Sequence, residues 1–164
     1  MQKAPYKLPA KGSDAVEILM NDHRLIEGLL ERLTSAVDNA ERKSALEELK
    51  AVLTIHNATE ENLVYPAIER IARKRAEAQH LYHETAEADV VVFELDSMLK
   101  EGRGEEDAFA VTAEKLKAAV LEHIEDEEQK AFVHLRDQAD EDQAESLTRS
   151  VKQFRGALHY EMSS

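Results

Sequence analysis

The sequence predicts an all-α protein: an antiparallel up-down-up-down four-helix bundle with a short fifth helix at the C-terminus. Three observations carry this. The 164 residues hold five glycines and three prolines and are rich in alanine, leucine, glutamate and lysine, a balance that favours helix over sheet. Apolar residues recur at alternating steps of three and four along four long stretches, the spacing of a helix face turned to a core. No alternating β pattern with turn punctuation appears. The length fits one domain, read as an arm over 1–13, a bundle over 14–136, and a C-terminal helix and tail over 137–164.

Residues 1–13 contain Pro5, Pro9 and Gly12 without periodicity and read as an extended arm. Ser13 or Asp14 caps helix 1, with Glu17 placed for a capping box. Its seam is Val16, Leu19, His23, Ile26, Leu30, Leu33 and Val37. A turn at 38–40 leads to helix 2, with seam Leu46, Leu49, Leu53, His56, Glu60, Leu63 and Ala67 and a bend expected at Pro66. Helix 3 starts near Arg73–Arg75 and has two apolar faces. One holds Leu81, Ala88, Val92, Leu95 and Leu99. The other holds Ala76, Gln79, His83, Ala86, Val90, Phe93 and Ser97 and keeps the three–four alternation through a histidine. The segment Gly102-Arg103-Gly104 ends it. Helix 4 carries Phe109, Ala113, Leu116, Val120, His123, Glu127, Ala131 and His134. Beyond a polar break at 137–142, the residues Ala144, Leu147, Val151, Phe154 and Leu158 mark a fifth helix, either packed on the bundle or forming a dimer contact.

Each helix thus carries a histidine in its seam, and two carry a glutamate one turn later (His56/Glu60 and His123/Glu127). In antiparallel neighbours, residues equally far from the connecting turn lie at equal depth. From His23 to Val37 is 14 residues and from Glu41 to His56 is 15; from His83 to Lys100 is 17 and from Glu105 to His123 is 18. The histidines of helices 1 and 2 are therefore level, as are those of helices 3 and 4. Buried carboxylates destabilise an apolar bundle unless a cation neutralises them. No seam lysine or arginine occurs at that depth, so metal ions are the expected solution. Imidazole and carboxylate ligands without sulfur suit iron, manganese or zinc, and two bridging carboxylates favour a pair of irons. The alternative Glu-x-x-His pattern occurs once, at Glu77 and His80, without a second copy.

The pieces Asn21-Asp22-His23, His56-x-x-x-Glu60-Glu61-x-x-x-Tyr65-Pro66, His83-Glu84 and His123-x-x-x-Glu127-Glu128, in this order, resemble the hemerythrin family in its bacterial branch of HHE cation-binding domains. The resemblance spans about residues 14–136. It implies a non-haem diiron centre, oxo- or hydroxo-bridged, with ligands His23, His56, His83 and His123 and bridges Glu60 and Glu127. Oxygen-carrying members have a second helix-3 histidine four residues before the first; here that position is Gln79, which leaves an open position or one filled by His80 or Glu87. The function so implied is binding or sensing of dioxygen, peroxide or nitric oxide, with peroxide decomposition or iron handling as alternatives. Tyr65 and Tyr82 read as boundary packing, with a place around the ligands, tuning redox chemistry, as the alternative; Glu61 and Glu128 read as solvent-facing or supporting the histidines, His134 as near the helix end and His159 as surface.

Composition narrows the partners. With 34 acidic against 21 basic residues the net charge is −13, which argues against nucleic acid. The absence of cysteine excludes iron–sulfur and thiolate zinc sites. No run approaches 18 apolar residues, and residues 1–13 lack a signal-peptide core. The expectation is a cytoplasmic protein, without membrane contact, that is a monomer or homodimer.

Overall fold

The computed structural model describes Leu8 and residues 10–161, the side chains of 159–161 excepted. The elements are α1 (Ala15–Ser35), α2 (Asn39–Thr59), a π-helical turn π1 (Glu60–Val64), α3 (Tyr65–Arg70), α4 (Arg75–Lys100), α5 (Asp107–Asp126), a second π-turn π2 (Glu127–Ala131), α6 (Phe132–Gln138) and α7 (Glu141–Glu161). Segments α2–π1–α3 and α5–π2–α6 are each one continuous rod. With α1 and α4 they make the four-helix bundle.

Cross-helix pairs establish the antiparallel course. Arg32 meets Glu48 while Asp22 meets His56, so α1 and α2 run opposite ways. Lys50 meets Asp96 while Tyr82 reaches Glu61. Glu84 meets His123 while Glu77 meets His134. Asp14 and Asp38 cap α1 and α2, each accepting from the N–H three residues on, which satisfies otherwise orphaned donors. Glu17 reaches back to the Ser13 N–H rather than to that of the capping Asp14. Helix α4 ends in a Schellman turn: Gly102, at φ 76°, donates to Leu99, and Arg103 donates to Met98.

Two apolar clusters fill the bundle. One joins Ile26, Leu30, Leu33, Leu46, Leu49, Leu95, Phe109 and Leu116, and Leu8 of the arm docks into it. The other joins Val16, Leu19, Val64, Tyr65, Ile68, Leu81, Phe132 and Leu135. Along α1, His23 falls between Leu19 of one and Ile26 of the other, so the polar layer is sandwiched between oil on both sides. Val37, expected in the seam, follows the end of α1 and is 84% exposed.

The structure corrects the reading of helix 3. The face of α4 turned inward is Ala78, Leu81, Thr85, Val91, Leu95 and Met98. Val90 and Phe93, on the alternating face, are exposed, and His83 points outward with them. Burying that face would place Gln79, His83 and Ser97 in the core, whereas the inward face offers aliphatic side chains and one small hydroxyl. That hydroxyl, of Thr85, donates to the Leu81 carbonyl within its own helix and needs no outside partner. The fifth helix packs on the bundle: Val151 is fully buried against Ala15 and Ile18.

Candidate metal centre

Three rods bring the polar layer together. Nε2 of His23, from α1, lies 3.1 Å from Glu127 Oε2 and 3.7 Å from Glu60 Oε1. Nε2 of His56 lies 3.0 Å from Glu60, and Nε2 of His123 lies 3.1 Å from Glu127. The two i,i+4 pairs are thus disposed alike about the central His23. His23, Glu60 and Glu127 have no exposed side-chain surface. One donor atom from each of His23, His56, Glu60 and Glu127 lies within 4.8 Å of the others.

Each paired histidine is oriented from behind. His56 Nδ1 donates to Asp22 at 2.9 Å and His123 Nδ1 donates to Glu84 at 2.8 Å. Such carboxylate partners fix the tautomer and aim the other nitrogen inward, as around metal ligands. The ring of His23 stacks on Phe132, 5.8 Å between centroids and 8° from parallel.

Both candidate bridging glutamates open a π-turn. Tyr65 N–H bonds to the Glu60 carbonyl, and Phe132 N–H to that of Glu127, in each case five residues back. At 3.6 residues per turn, a residue five positions on overshoots by about 140°. The wider π-turn removes most of that overshoot, so Tyr65 follows Glu60 onto the inner face and Phe132 follows Glu127. Pro66 has no N–H for the Glu61 carbonyl, and Tyr82 from α4 supplies a hydroxyl there at 2.8 Å. Because α5–π2–α6 makes the same turn without a proline, Pro66 is compatible with it rather than its cause.

Tyr65 consequently enters the layer, a placement that straight-helix periodicity conceals. Its hydroxyl lies 2.7 Å from Glu127 Oε1, 3.0 Å from Glu60 Oε2 and 3.1 Å from His123 Nε2. It stands where α4 contributes Thr85, 3.4 Å away, in place of a histidine. His83, expected as the helix-3 ligand, is 70% exposed and pairs with Glu87 at 3.2 Å; the structure does not bring it to the cluster. His80 is also exposed, against Glu84 and Asp126. Of the six expected ligands, five converge: His23, His56, Glu60, His123 and Glu127. His159 lies outside the described side chains.

The electrostatics suit a cation. Both nitrogens of His23, Glu60 Oε1 and Glu127 Oε2 are buried without a hydrogen bond of good geometry, although polar atoms in such places are normally satisfied. Burial pulls the His123 pKa down, but the charge and hydrogen bond of Glu127 and the hydrogen bond of Glu84 push it up to about 10. His23 rises well above the imidazole range in the same way: burial opposes, and Glu127, Glu128 and Glu60 prevail. Glu127 lies well below the carboxylate range because His123 and His23 overcome the effect of its burial. Burial, then Glu60 and Glu127, hold the Tyr65 phenol well above its ordinary value. The surrounding carboxylates thus favour the charged forms of His23 and His123 against their burial.

The family model for the hemerythrin HHE cation binding domain matches residues 14–135. A solved structure of an HHE cation binding domain-containing protein, the Rv2633c homolog from Mycobacterium kansasii, superposes with a TM-score of 0.70 at 23% identity, covering 92% of this chain and 93% of that one. That likeness speaks to the fold. No curated protein sequence matches.

Proposed function

Since the chain belongs to the hemerythrin HHE cation-binding family, with a buried His/Glu cluster able to bind metal, we propose that it holds two iron ions and binds dioxygen or a related small ligand, peroxide or nitric oxide. The observation that carries this is the convergence of buried, hydrogen-bond-deficient imidazole and carboxylate atoms from three rods. The donors assigned are Nε2 of His23, His56 and His123, the carboxylates of Glu60 and Glu127, and the Tyr65 phenol. His56 with Glu60 and His123 with Glu127 form two half-sites, and His23 touches both carboxylates. This supports two cations rather than one. The all-nitrogen-and-oxygen set with a phenol suits iron.

Bound iron supplies the change of oxidation state and the coordination positions that a small ligand occupies. The protein's part is to orient and exclude. Asp22 and Glu84 keep two imidazoles aimed inward. The apolar clusters on either side keep bulk water away, and the burial admits only a small ligand. His123, with 12% of its side chain exposed, is the most open donor, so entry is assigned to the seam between α4 and α5.

One observation favours a second reading, decomposition of peroxide. The Tyr65 hydroxyl is a protonated donor held against both carboxylates and His123. A group that can give and retake a proton at the centre serves O–O bond chemistry.

The test is to load metal-free protein anaerobically with iron(II), count the metal, and record spectra before and after dioxygen. Two irons per chain and a visible band, lost in Tyr65→Phe, are expected. An oxygen adduct reversed under vacuum supports ligand binding, and oxygen evolved from added peroxide supports the second reading. If wild-type protein takes up no metal, both readings fail.

A further inference from the structure

The C-terminal helix contributes a buried guanidinium at the depth of the polar layer. Arg155 of α7 is 1% exposed. Its guanidinium donates to both oxygens of Asp22, through Nη1 at 3.1 Å and through a shorter Nη2 bond. Asp22 is itself 3% exposed, and the Oδ2 that receives Nη2 also accepts from His56 Nδ1. A continuous path of three buried groups thus runs from α7 to Nε2 of His56.

The register of α7 holds this path in place. Thr148 Oγ1 accepts the N–H of Ala15, at the start of α1, at 3.0 Å. Arg155 meets Asp22 seven residues further along both helices. The two therefore run parallel and in step over two turns, with Val151 buried between these contacts. Arg155 lies beyond residues 14–135, the part of the chain that the family model matches.

A buried ion pair is a costly way to fasten a helix, since apolar residues of similar volume often serve as well. A fork-shaped pair has a geometric use instead. A guanidinium bound to both oxygens fixes the plane of the carboxylate. That leaves one Oδ2 lone pair for His56 Nδ1, and so sets the tautomer and tilt of the ring.

We infer that Arg155 is a positioning residue for the metal centre: it acts through Asp22 to hold His56 in its ligating orientation, which makes the C-terminal helix part of the site. The inference rests on the reading of the cluster as a metal centre. The group that touches the ligand, here Asp22, is worth about 10–100-fold in metal affinity; Arg155 acts through it, so its loss should cost up to that much and fall on the one cation that His56 holds.

The test is titration of the full-length, metal-free chain with cobalt(II) against a competing chelator, well below the melting temperature, with the visible cobalt spectrum recorded. Arg155→Met is expected to weaken one of two bound cobalt ions, by no more than the about 10–100-fold due to Asp22, and to alter the spectrum. Arg155→Lys should recover part of the loss. Val151→Ala should lower the melting temperature without changing either cobalt affinity. The double variant Arg155→Met/Asp22→Asn, which removes both members of the buried pair, should bind no more weakly than Asp22→Asn alone, because both changes break one path. If Arg155→Met is less stable but binds cobalt as the wild type does, or if the losses of Arg155→Met and Asp22→Asn add, the inference is overturned while the metal reading stands. If the wild-type chain binds no cobalt, both fail. Should Arg155→Met not fold, Arg155→Lys against wild type and the double variant against Asp22→Asn decide the matter.

Discussion

Replacing Glu127 by alanine perturbs the centre at its most connected point. The carboxylate is fully buried and has three partners: Tyr65 Oη at 2.7 Å, His123 Nε2 at 3.1 Å and His23 Nε2 at 3.1 Å. Removing one member of a buried charged set costs about 3–5 kcal/mol, because its partners stay behind uncompensated. In a chain of this length each kcal/mol moves the melting temperature by about 2–4 °C. Metal-free Glu127→Ala should therefore melt about 6–20 °C below metal-free wild type at pH 6, where the imidazoles keep their protons. The assay is thermal unfolding in excess chelator, paired with metal analysis of loaded samples. Glu127→Gln keeps the volume and the acceptor for Tyr65, so it should lose metal to the same extent and stability to a smaller one. If Glu127→Ala kept two metals per chain and melted within about 2 °C of wild type, the assignment of Glu127 as a shared ligand would be refuted.

Two further outcomes follow from the same geometry. His83→Ala should leave metal content unchanged and stability within about 0.5 kcal/mol, as for other exposed positions, whereas His123→Ala should lose metal; equal losses would return His83 to the site. In metal-free protein the folded-state pKa of His123 is raised from 6.5 to about 10. Its contribution to stability is therefore fully present below pH 6.5 and is lost as pH rises through about 10. Urea unfolding of the chelated protein from pH 6 to 10.5 should show this decline, and metal-loaded protein, with cations in place of protons, should show less of it.

Much of the bundle was legible in the residues. The seams of α1, α2 and α5 alternate three and four through His23, His56 and His123, and in unbroken helix that spacing alone sets the inward face. Helix 3 was ambiguous because apolar residues occupy two of its faces. The three–four alternation runs through His83, while packing buries the face of Leu81, Thr85 and Leu95. Tyr65 was legible only as an alternative, and Phe132 not at all, for a different reason. Each lies one π-turn beyond a glutamate, and a constant period of 3.6 turns them away from the layer that they enter. Asp22 and Glu84 adjoin motif histidines, yet spacing within one helix says nothing of which imidazole on a neighbouring helix they support. Arg155 gave no signal, because a charged residue beside an amphipathic stripe reads as surface until the facing aspartate is known.

Whether the polar layer is a cation site is tested most directly by the melting temperature of the wild-type chain, measured with metal bound and again after chelation, alongside a metal count. Two iron ions per chain and a large, reversible fall in melting temperature on chelation are the predicted result. A folded chain that contains no metal, takes up none when it is offered, and melts at the same temperature with and without chelator would contradict it.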